Sequence, residues 1–172
     1  VSREALLASS SFTVGAGAGS PFNVTIPTSI FGDLEGSGVQ TESLILAAVS
    51  PGSAVAQASS NDTRSDGQSA VLLAGLNVNL YSGEGARLHV SNLTSGITLT
   101  LDIGQVDDKN GTIECGVWDD NLGEWRKDGL TTARGPEGQL VCVTTHLSFF
   151  GGILKGFLNA FRCANVGLFS KE

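Results

Sequence analysis

Apolar and polar residues alternate with a period of two along much of this chain, and this alternation restricts it to extended strands. In the segment 97–103 every odd residue is Ile or Leu and every even residue is Thr or Asp. Similar alternation recurs in the segments 22–26, 76–81 and 87–91. A strand with one apolar and one polar face suits a sheet that packs on a core with one side only. Turn residues separate the runs, so the pattern predicts about eight to ten short strands in an all-β sandwich or barrel.

Composition narrows the choice of fold and of partner. The 172 residues suit a single domain, and 16% charged residues with 23 Gly are atypical of helical bundles and coiled coils. The net charge of −7 excludes a duplex-binding footprint, so we expect no nucleic-acid partner. The chain contains no Met, and we therefore expect it to be a mature or excised piece of a longer protein.

Asparagine sequons indicate secretion. Four Asn residues stand two positions before a Thr, which makes each an acceptor for N-glycosylation in an extracellular protein. They are Asn23, Asn61, Asn92 and Asn110.

Two of the three cysteines lie in alternating segments. Cys115 shares the parity of apolar residues in 112–118, and Cys142 shares that of Leu140 in 139–146. Both thiols are expected to point inward from neighbouring strands, where a disulfide is geometrically reasonable. The residues alone leave two readings open, which are one bridge or two separate buried thiols. Cys163 has no assigned partner.

The segment 113–154 resembles the G-protein-coupled-receptor proteolysis site, or GPS, motif. The resemblance lies in the order of two cysteines, two tryptophans, a glycine and a tripeptide; these are Cys115, Trp118, Trp125, Gly129, Cys142 and His146-Leu147-Ser148. It implies an antiparallel β-sandwich of the GAIN subdomain B type, with a body over 1–147 and the GPS motif from about residue 113. Residues 148–172 would then form a C-terminal strand, a short helix and a juxtamembrane-like tail.

The resemblance also assigns structural roles. It implies a Cys115–Cys142 disulfide and packing roles for Trp118 and Trp125. The family pattern usually carries four cysteines in two bridges, and here Leu130 and Thr144 stand at the second and fourth positions. Because those two would have paired with each other, their replacement removes one whole bridge and orphans no cysteine.

His146-Leu147-Ser148 carries the chemistry that the resemblance implies. The Ser148 hydroxyl follows the Leu147 carbonyl directly, so it can attack that carbon through a five-membered ring. His146 is the expected general base, because an imidazole titrates near neutral pH. The resulting ester would be hydrolysed, which cuts the chain between Leu147 and Ser148. Such self-processing occurs once per molecule and calls for no metal and no diffusible cofactor.

The setting implied by the resemblance is the extracellular side of the plasma membrane. The parent would be an adhesion-receptor-like or polycystin-like membrane protein, and a ciliary one in the second case. The expected partners are the rest of that parent and the chain's own fragment 148–172, held by the body; no extracellular ligand is indicated. The alternative is a non-cleaving structural or adhesion module. A carbohydrate-binding sandwich or hydrolase is disfavoured, because no paired acids or second triad histidine stand in a fitting context.

Three lesser features complete the predictions. The apolar residues of 149–161 also recur at helical spacing, so this segment could be a strand while docked and an amphipathic helix once released, which the resemblance implies is a tethered agonist in adhesion receptors. The favoured alternative is a strand followed by a short helix that leads toward a membrane span. The segment 107–111 is predicted to be a hairpin turn rather than a calcium loop. His89 has the parity of exposed neighbours and is predicted to face the surface.

Overall fold

The computed structural model describes residues 9–15, 19–36, 38, 44–49, 70–106 and 111–155. The predicted turn at 107–110, the sequons at Asn61 and Asn110, Cys163 and the tail 156–172 lie outside these ranges. Among the described residues, no helix is both long and apolar enough to cross a membrane.

Eleven strands and one short helix make up the described part of the chain. The helix α1 covers Ile30–Gly36. The strands are β1 (Ser11–Val14), β2 (Phe22–Pro27), β3 (Leu44–Val49), β4 (Ala70–Ser82), β5 (Arg87–Leu88), β6 (Ile97–Leu101), β7 (Thr112–Asp119), β8 (Glu124–Arg126), β9 (Leu130–Arg134), β10 (Leu140–Thr144) and β11 (Phe149–Lys155).

The strands form two antiparallel sheets. The first has the order β1-β2-β6-β10-β9, and the second has the order β3-β4-β11-β7-β8, with β5 also paired to β4. The inner faces of both sheets contribute to one hydrophobic core, which includes Leu99 and Cys142 from the first sheet and Leu76 and Phe150 from the second. The all-β sandwich prediction is therefore confirmed.

Alternation along the strands explains which side chains fill this core. In β6 the Ile and Leu residues are buried and the intervening Thr98 and Thr100 are only half-buried. β10 shows the same alternation, with Leu140 and Cys142 inside. One buried face per strand is the condition that makes two sheets stack.

β11 is a central strand of the second sheet, with β4 on one side and β7 on the other. Its two glycines allow close packing on both faces. A Cβ on Gly151 would overlap Leu72 Cδ1, and one on Gly152 would lie 2.9 Å from Leu140 Cδ2 of the opposite sheet. Gly152 therefore faces the sandwich interior and Gly151 faces outward.

A second, smaller hydrophobic cluster covers the outer face of β11. Its buried members are Leu72, Trp125 and Ile153, and Trp118 and Phe149 pack against them. The ring centroids of Trp118 and Trp125 lie 5.3 Å apart in an edge-on arrangement, and those of Trp125 and Phe149 are also 5.3 Å apart. The packing role predicted for the two tryptophans thus falls outside the main core.

Candidate active site

The predicted tripeptide lies in the four-residue connection 145–148, which crosses from β10 in one sheet to β11 in the other. Three backbone hydrogen bonds hold this connection in place. Leu93 N–H donates to the Thr145 carbonyl (3.0 Å), Leu147 N–H donates to the Val90 carbonyl (3.1 Å), and Val78 N–H donates to the Ser148 carbonyl (3.0 Å). The Leu147–Ser148 peptide is thereby held by backbone hydrogen bonds on both sides, which limits its freedom to relax.

The helix α1 supports the segment that holds the connection. Asp33 accepts hydrogen bonds from the Thr94 N–H at 3.0 Å and from the Thr94 hydroxyl at 3.1 Å. Asp33 lies in a helix whose Ile30, Phe31 and Leu34 are buried in the sandwich core. Residues 90–94 are therefore fixed to the body of the domain by α1. Because Val90 and Leu93 hydrogen-bond to the connection, α1 also restrains the connection indirectly.

His146 is half-buried and has contacts on three sides. Its Nδ1 lies 3.1 Å from the Thr144 hydroxyl oxygen, and its ring centroid lies 5.5 Å from that of Phe150. Gly129 closes the third side, because a Cβ there would come within 3.4 Å of His146 Nδ1. Gly129 also has a positive φ of 69°, which favours glycine independently of space.

Burial lowers the pKa of His146 below its ordinary value, and the charge of His89 lowers it further. Both effects favour the neutral imidazole, which is the form that can accept a proton. His89 is exposed, as predicted from its parity. Its electrostatic influence on His146 was not predicted, because nothing in the spacing of the two histidines indicates that their segments lie side by side.

Ser148 and Leu147 are both half-buried in the connection. Among the described residues, the Ser148 hydroxyl forms no hydrogen bond, and the imidazole of His146 hydrogen-bonds only to Thr144. The structure thus places His146 and Ser148, the predicted base and the predicted nucleophile, in one short connection without a direct hydrogen bond between them. Catalytic hydrogen bonds commonly tighten only as the reaction proceeds.

Open space adjoins the connection on two sides. A groove of about 570 Å³ is lined by Asn92, Trp118, Gly129 and His146, among others. A smaller cavity of about 240 Å³ is lined by Asn79, His89, Val90 and Leu147. Open space therefore adjoins both the His146 side chain and Leu147.

The Cys115–Cys142 disulfide is present and links the two sheets, with a Cα–Cα distance of 5.8 Å. Its strands were expected to be neighbours, but β7 and β10 lie in different sheets and face each other across the core. The bridge therefore joins the two sheets at Cys142, three residues before the start of the connection that carries His146.

Leu130 and Thr144 are directly opposed in the register of β9 and β10. These are the positions of the two missing cysteines in the pattern that the sequence resembles. Their direct opposition explains how a second bridge could exist at this place in related chains and how both its members could be lost together.

The comparison with protein families agrees with this geometry. The family model described as GPS, GAIN subdomain B, matches residues 2–155. The chain belongs to the GAIN subdomain B family. The match covers both sheets and all of the connection that bears His146, Leu147 and Ser148. The comparison with curated proteins returned no match.

Within this GAIN subdomain B the described sequons differ in their surroundings. Asn92 is exposed in the segment between β5 and β6 and has a positive φ of 56°. Asn23 lies in β2, a strand paired on both sides, and its Oδ1 is buried without a hydrogen-bond partner among the described residues. Both sites carry the same sequon, but of these two asparagines only Asn92 is fully exposed in the fold.

Proposed function

We propose that this GAIN subdomain B is an autoproteolytic domain that cleaves itself once, between Leu147 and Ser148, and keeps both fragments together. The observation that carries the proposal is the placement of His146, Leu147 and Ser148 in a short connection pinned by backbone hydrogen bonds at 145, 147 and 148. A pinned backbone favours attack by the next residue's hydroxyl, since little freedom has to be given up to reach the reactive geometry.

The reaction has two steps. The Ser148 Oγ attacks the Leu147 carbonyl carbon while His146 accepts the hydroxyl proton. The carbon–nitrogen bond then breaks, the proton passes from the imidazole to the departing nitrogen, and Leu147 is left as an ester on Ser148 with a free amine. Water hydrolyses this ester, which yields a Leu147 carboxylate and restores the Ser148 hydroxyl.

The surroundings of the connection suit both steps. The lowered pKa of His146 keeps the imidazole neutral and able to accept a proton at physiological pH. The cavity beside Leu147 supplies space for the hydrolytic water. All of these groups come from the chain itself, so the proposed reaction is a single-turnover event in cis.

The position of β11 supports the proposed retention of the C-terminal fragment. After a cut at Leu147–Ser148 this strand remains hydrogen-bonded to β4 and β7, with Phe150 and Leu154 in the main core and Ile153 in the outer cluster. Burial of three such side chains contributes roughly 5–9 kcal/mol. An ion pair between Lys155 and Glu114 (3.4 Å) adds a further contact between fragment and body. The described part of the fragment, residues 148–155, is thus built into the fold of the body.

The proposed setting is the extracellular side of the plasma membrane, in a membrane protein of the adhesion-receptor or polycystin-like kind. The family assignment and the inter-sheet disulfide support this setting, because disulfides persist in oxidising compartments. N-glycosylation of exposed Asn92 belongs to the same proposal.

Intact mass under denaturing conditions tests the cleavage. Wild-type protein expressed through the secretory pathway is expected to give a fragment that ends at Leu147 and one that begins at Ser148. Ser148→Ala should stay whole, Ser148→Thr should still be cut, and Ser91→Ala, which removes an exposed hydroxyl at the groove, should behave as wild type.

Hydroxylamine separates self-cleavage from cutting by a contaminating protease. This nucleophile captures the ester and should leave a hydroxamate on Leu147, whereas a protease would leave a carboxylate. A wild-type chain that stays whole and folded would refute the proposal and assign the domain to a non-cleaving structural or adhesion module.

A further inference from the structure

Thr144 is the one buried polar side chain among the described residues, with 1% of its surface exposed. It stands on the core-facing side of β10, in line with Leu140 and Cys142. A hydroxyl at such a position is unfavourable unless it is hydrogen-bonded. All three of its polar contacts are to His146, which indicates a role connected with that residue.

The three contacts determine the direction of each hydrogen bond. The Thr144 oxygen lies 3.3 Å from the His146 N–H, 3.2 Å from the His146 carbonyl oxygen and 3.1 Å from His146 Nδ1. The backbone N–H can only donate and the carbonyl can only accept. The single hydroxyl proton therefore points to the carbonyl, and the oxygen accepts from the backbone N–H and from a protonated Nδ1.

The opposite assignment leaves a mismatch. If the hydroxyl donated to a bare Nδ1, the Thr144 oxygen and the His146 carbonyl oxygen would face each other at 3.2 Å with no proton between them. Two acceptors at that distance in a buried place repel each other, and the carbonyl would lose its partner. Only a proton on Nδ1 satisfies all three contacts at once.

We propose that Thr144 is a positioning residue that holds His146 in the Nδ1–H tautomer and so makes Nε2 the nitrogen that receives the Ser148 proton. This inference rests on the proposed self-cleavage. Phe150 packs beside the ring, glycine at 129 leaves space for it, and Thr144 selects which nitrogen carries the proton. A cysteine at position 144 that is bridged to residue 130 would have no hydroxyl to accept a hydrogen bond from His146 Nδ1. Selection of the tautomer in this way therefore requires the threonine that this chain has at 144.

Nitrogen-15 NMR of the imidazole tests the tautomer directly. The Ser148→Ala protein, which is whole in every case, is labelled at histidine, and His89→Gln in the same background assigns the two rings. The expected spectrum of His146 above its pKa shows a protonated Nδ1 and a bare Nε2. Thr144→Val, which keeps the shape and removes the hydroxyl, should shift the ring towards a mixture of tautomers, and Thr144→Ser should restore it. A protonated Nε2 in the parent, or a spectrum that Thr144→Val leaves unchanged, would overturn the inference.

The rate of cleavage gives the second readout. In cell-free synthesis with oxidising refolding, Thr144→Val is expected to cut at least about tenfold more slowly than wild type, and Thr144→Ser at nearly the wild-type rate. Near-UV circular dichroism confirms that both variants are folded. Equal rates in wild type and Thr144→Val would overturn the role of Thr144 and leave self-cleavage standing. A wild-type chain that is never cut would refute the proposed function, while the NMR result would still decide the tautomer.

Discussion

Gly151→Ala probes how tightly the C-terminal strand is enclosed. Gly151 lies in β11 on the outer face of the second sheet, under the side chain of Trp125. An added methyl group would overlap Leu72 Cδ1 and lie 3.0 Å from Trp125 Cη2. Both neighbours are buried, with 4% and 7% of their surfaces exposed, so neither has open space into which it can move.

Two opposing effects set the expected magnitude. Overpacking of one methyl group costs about 1–3 kcal/mol, because side chains must leave their preferred rotamers. The loss of chain freedom in the unfolded state returns about 0.4–1 kcal/mol, since Gly151 has no positive φ and tolerates an alanine backbone. Because both neighbours are buried, the upper half of the overpacking range, about 2–3 kcal/mol, applies, and the net result is a decrease in the free energy of unfolding of about 1–2.5 kcal/mol.

Urea denaturation followed by tryptophan fluorescence measures this change. The Ser148→Ala background keeps the chain whole, and the midpoint is expected to fall by roughly 0.5–1 M with an unchanged slope. Gly32→Ala is the matched control, because a Cβ there meets nothing within 4 Å and the site lies in α1. It should raise stability by about 0.5–1 kcal/mol.

A double-mutant cycle identifies the source of the strain. Leu72→Ala removes the group that the new methyl would overlap, so the two substitutions together should be less destabilising than the sum of their separate effects. Additive effects would show that Leu72 is not the obstacle. A Gly151→Ala protein as stable as its parent would refute the view that the outer cluster encloses β11 closely.

Four further predictions concern the bridge, the base, the pH dependence of stability and the surface. Replacement of Cys115 and Cys142 together by Ser should lower the free energy of unfolding by about 3.5 kcal/mol, which is the loop-closure value for a separation of 27 residues, as measured by urea denaturation. The cleavage rate should rise with pH and reach half its maximum below 6.5, because the pKa of His146 is lowered from that value; a midpoint above 6.5 would contradict the environment described. The same shift makes the unfolded chain bind this proton more readily, so stability should decline as pH falls below about 6.5, as a denaturation series would show. Glycosidase treatment of secreted protein should remove a glycan whose mass is lost in Asn92→Gln and retained in Asn23→Gln; a glycan on Asn23 alone would refute the exposure argument.

Much of the fold could be predicted because the strands are individually amphipathic. The alternation in 97–101 corresponds to β6, whose buried and half-buried residues follow the sequence pattern one by one, whereas in β10 the burial alternates although Val141 and Val143 are apolar and Thr144 is polar. The pairing of those strands could not be predicted, because alternation indicates which face of a strand is apolar but not which strands lie next to it. The relation of Cys115 to Cys142 shows the consequence: the residues suggested adjacent strands, and the bridge in fact crosses between sheets.

The family assignment was accessible for a different reason. The spacing of cysteine, tryptophan and the His-Leu-Ser tripeptide is a local property of the chain, so it is legible without any knowledge of pairing. The direct opposition of Leu130 and Thr144 in the register was consistent with the joint loss of a bridge but could be seen only in the sheet.

The sequence by itself determined the all-β class, the membership in the GAIN subdomain B family and the identity of the residues proposed to react, because periodicity and motif spacing are one-dimensional. Only the tertiary structure decided what surrounds those residues. The hydrogen bonds that pin the connection come from Val78, Val90 and Leu93, and the charge that acts on His146 comes from His89. These residues are distant from 146 along the chain, and only the packing of two sheets brings them to the site. Even Thr144, two residues from His146, reveals its contacts only when the turn of the backbone after β10 is known.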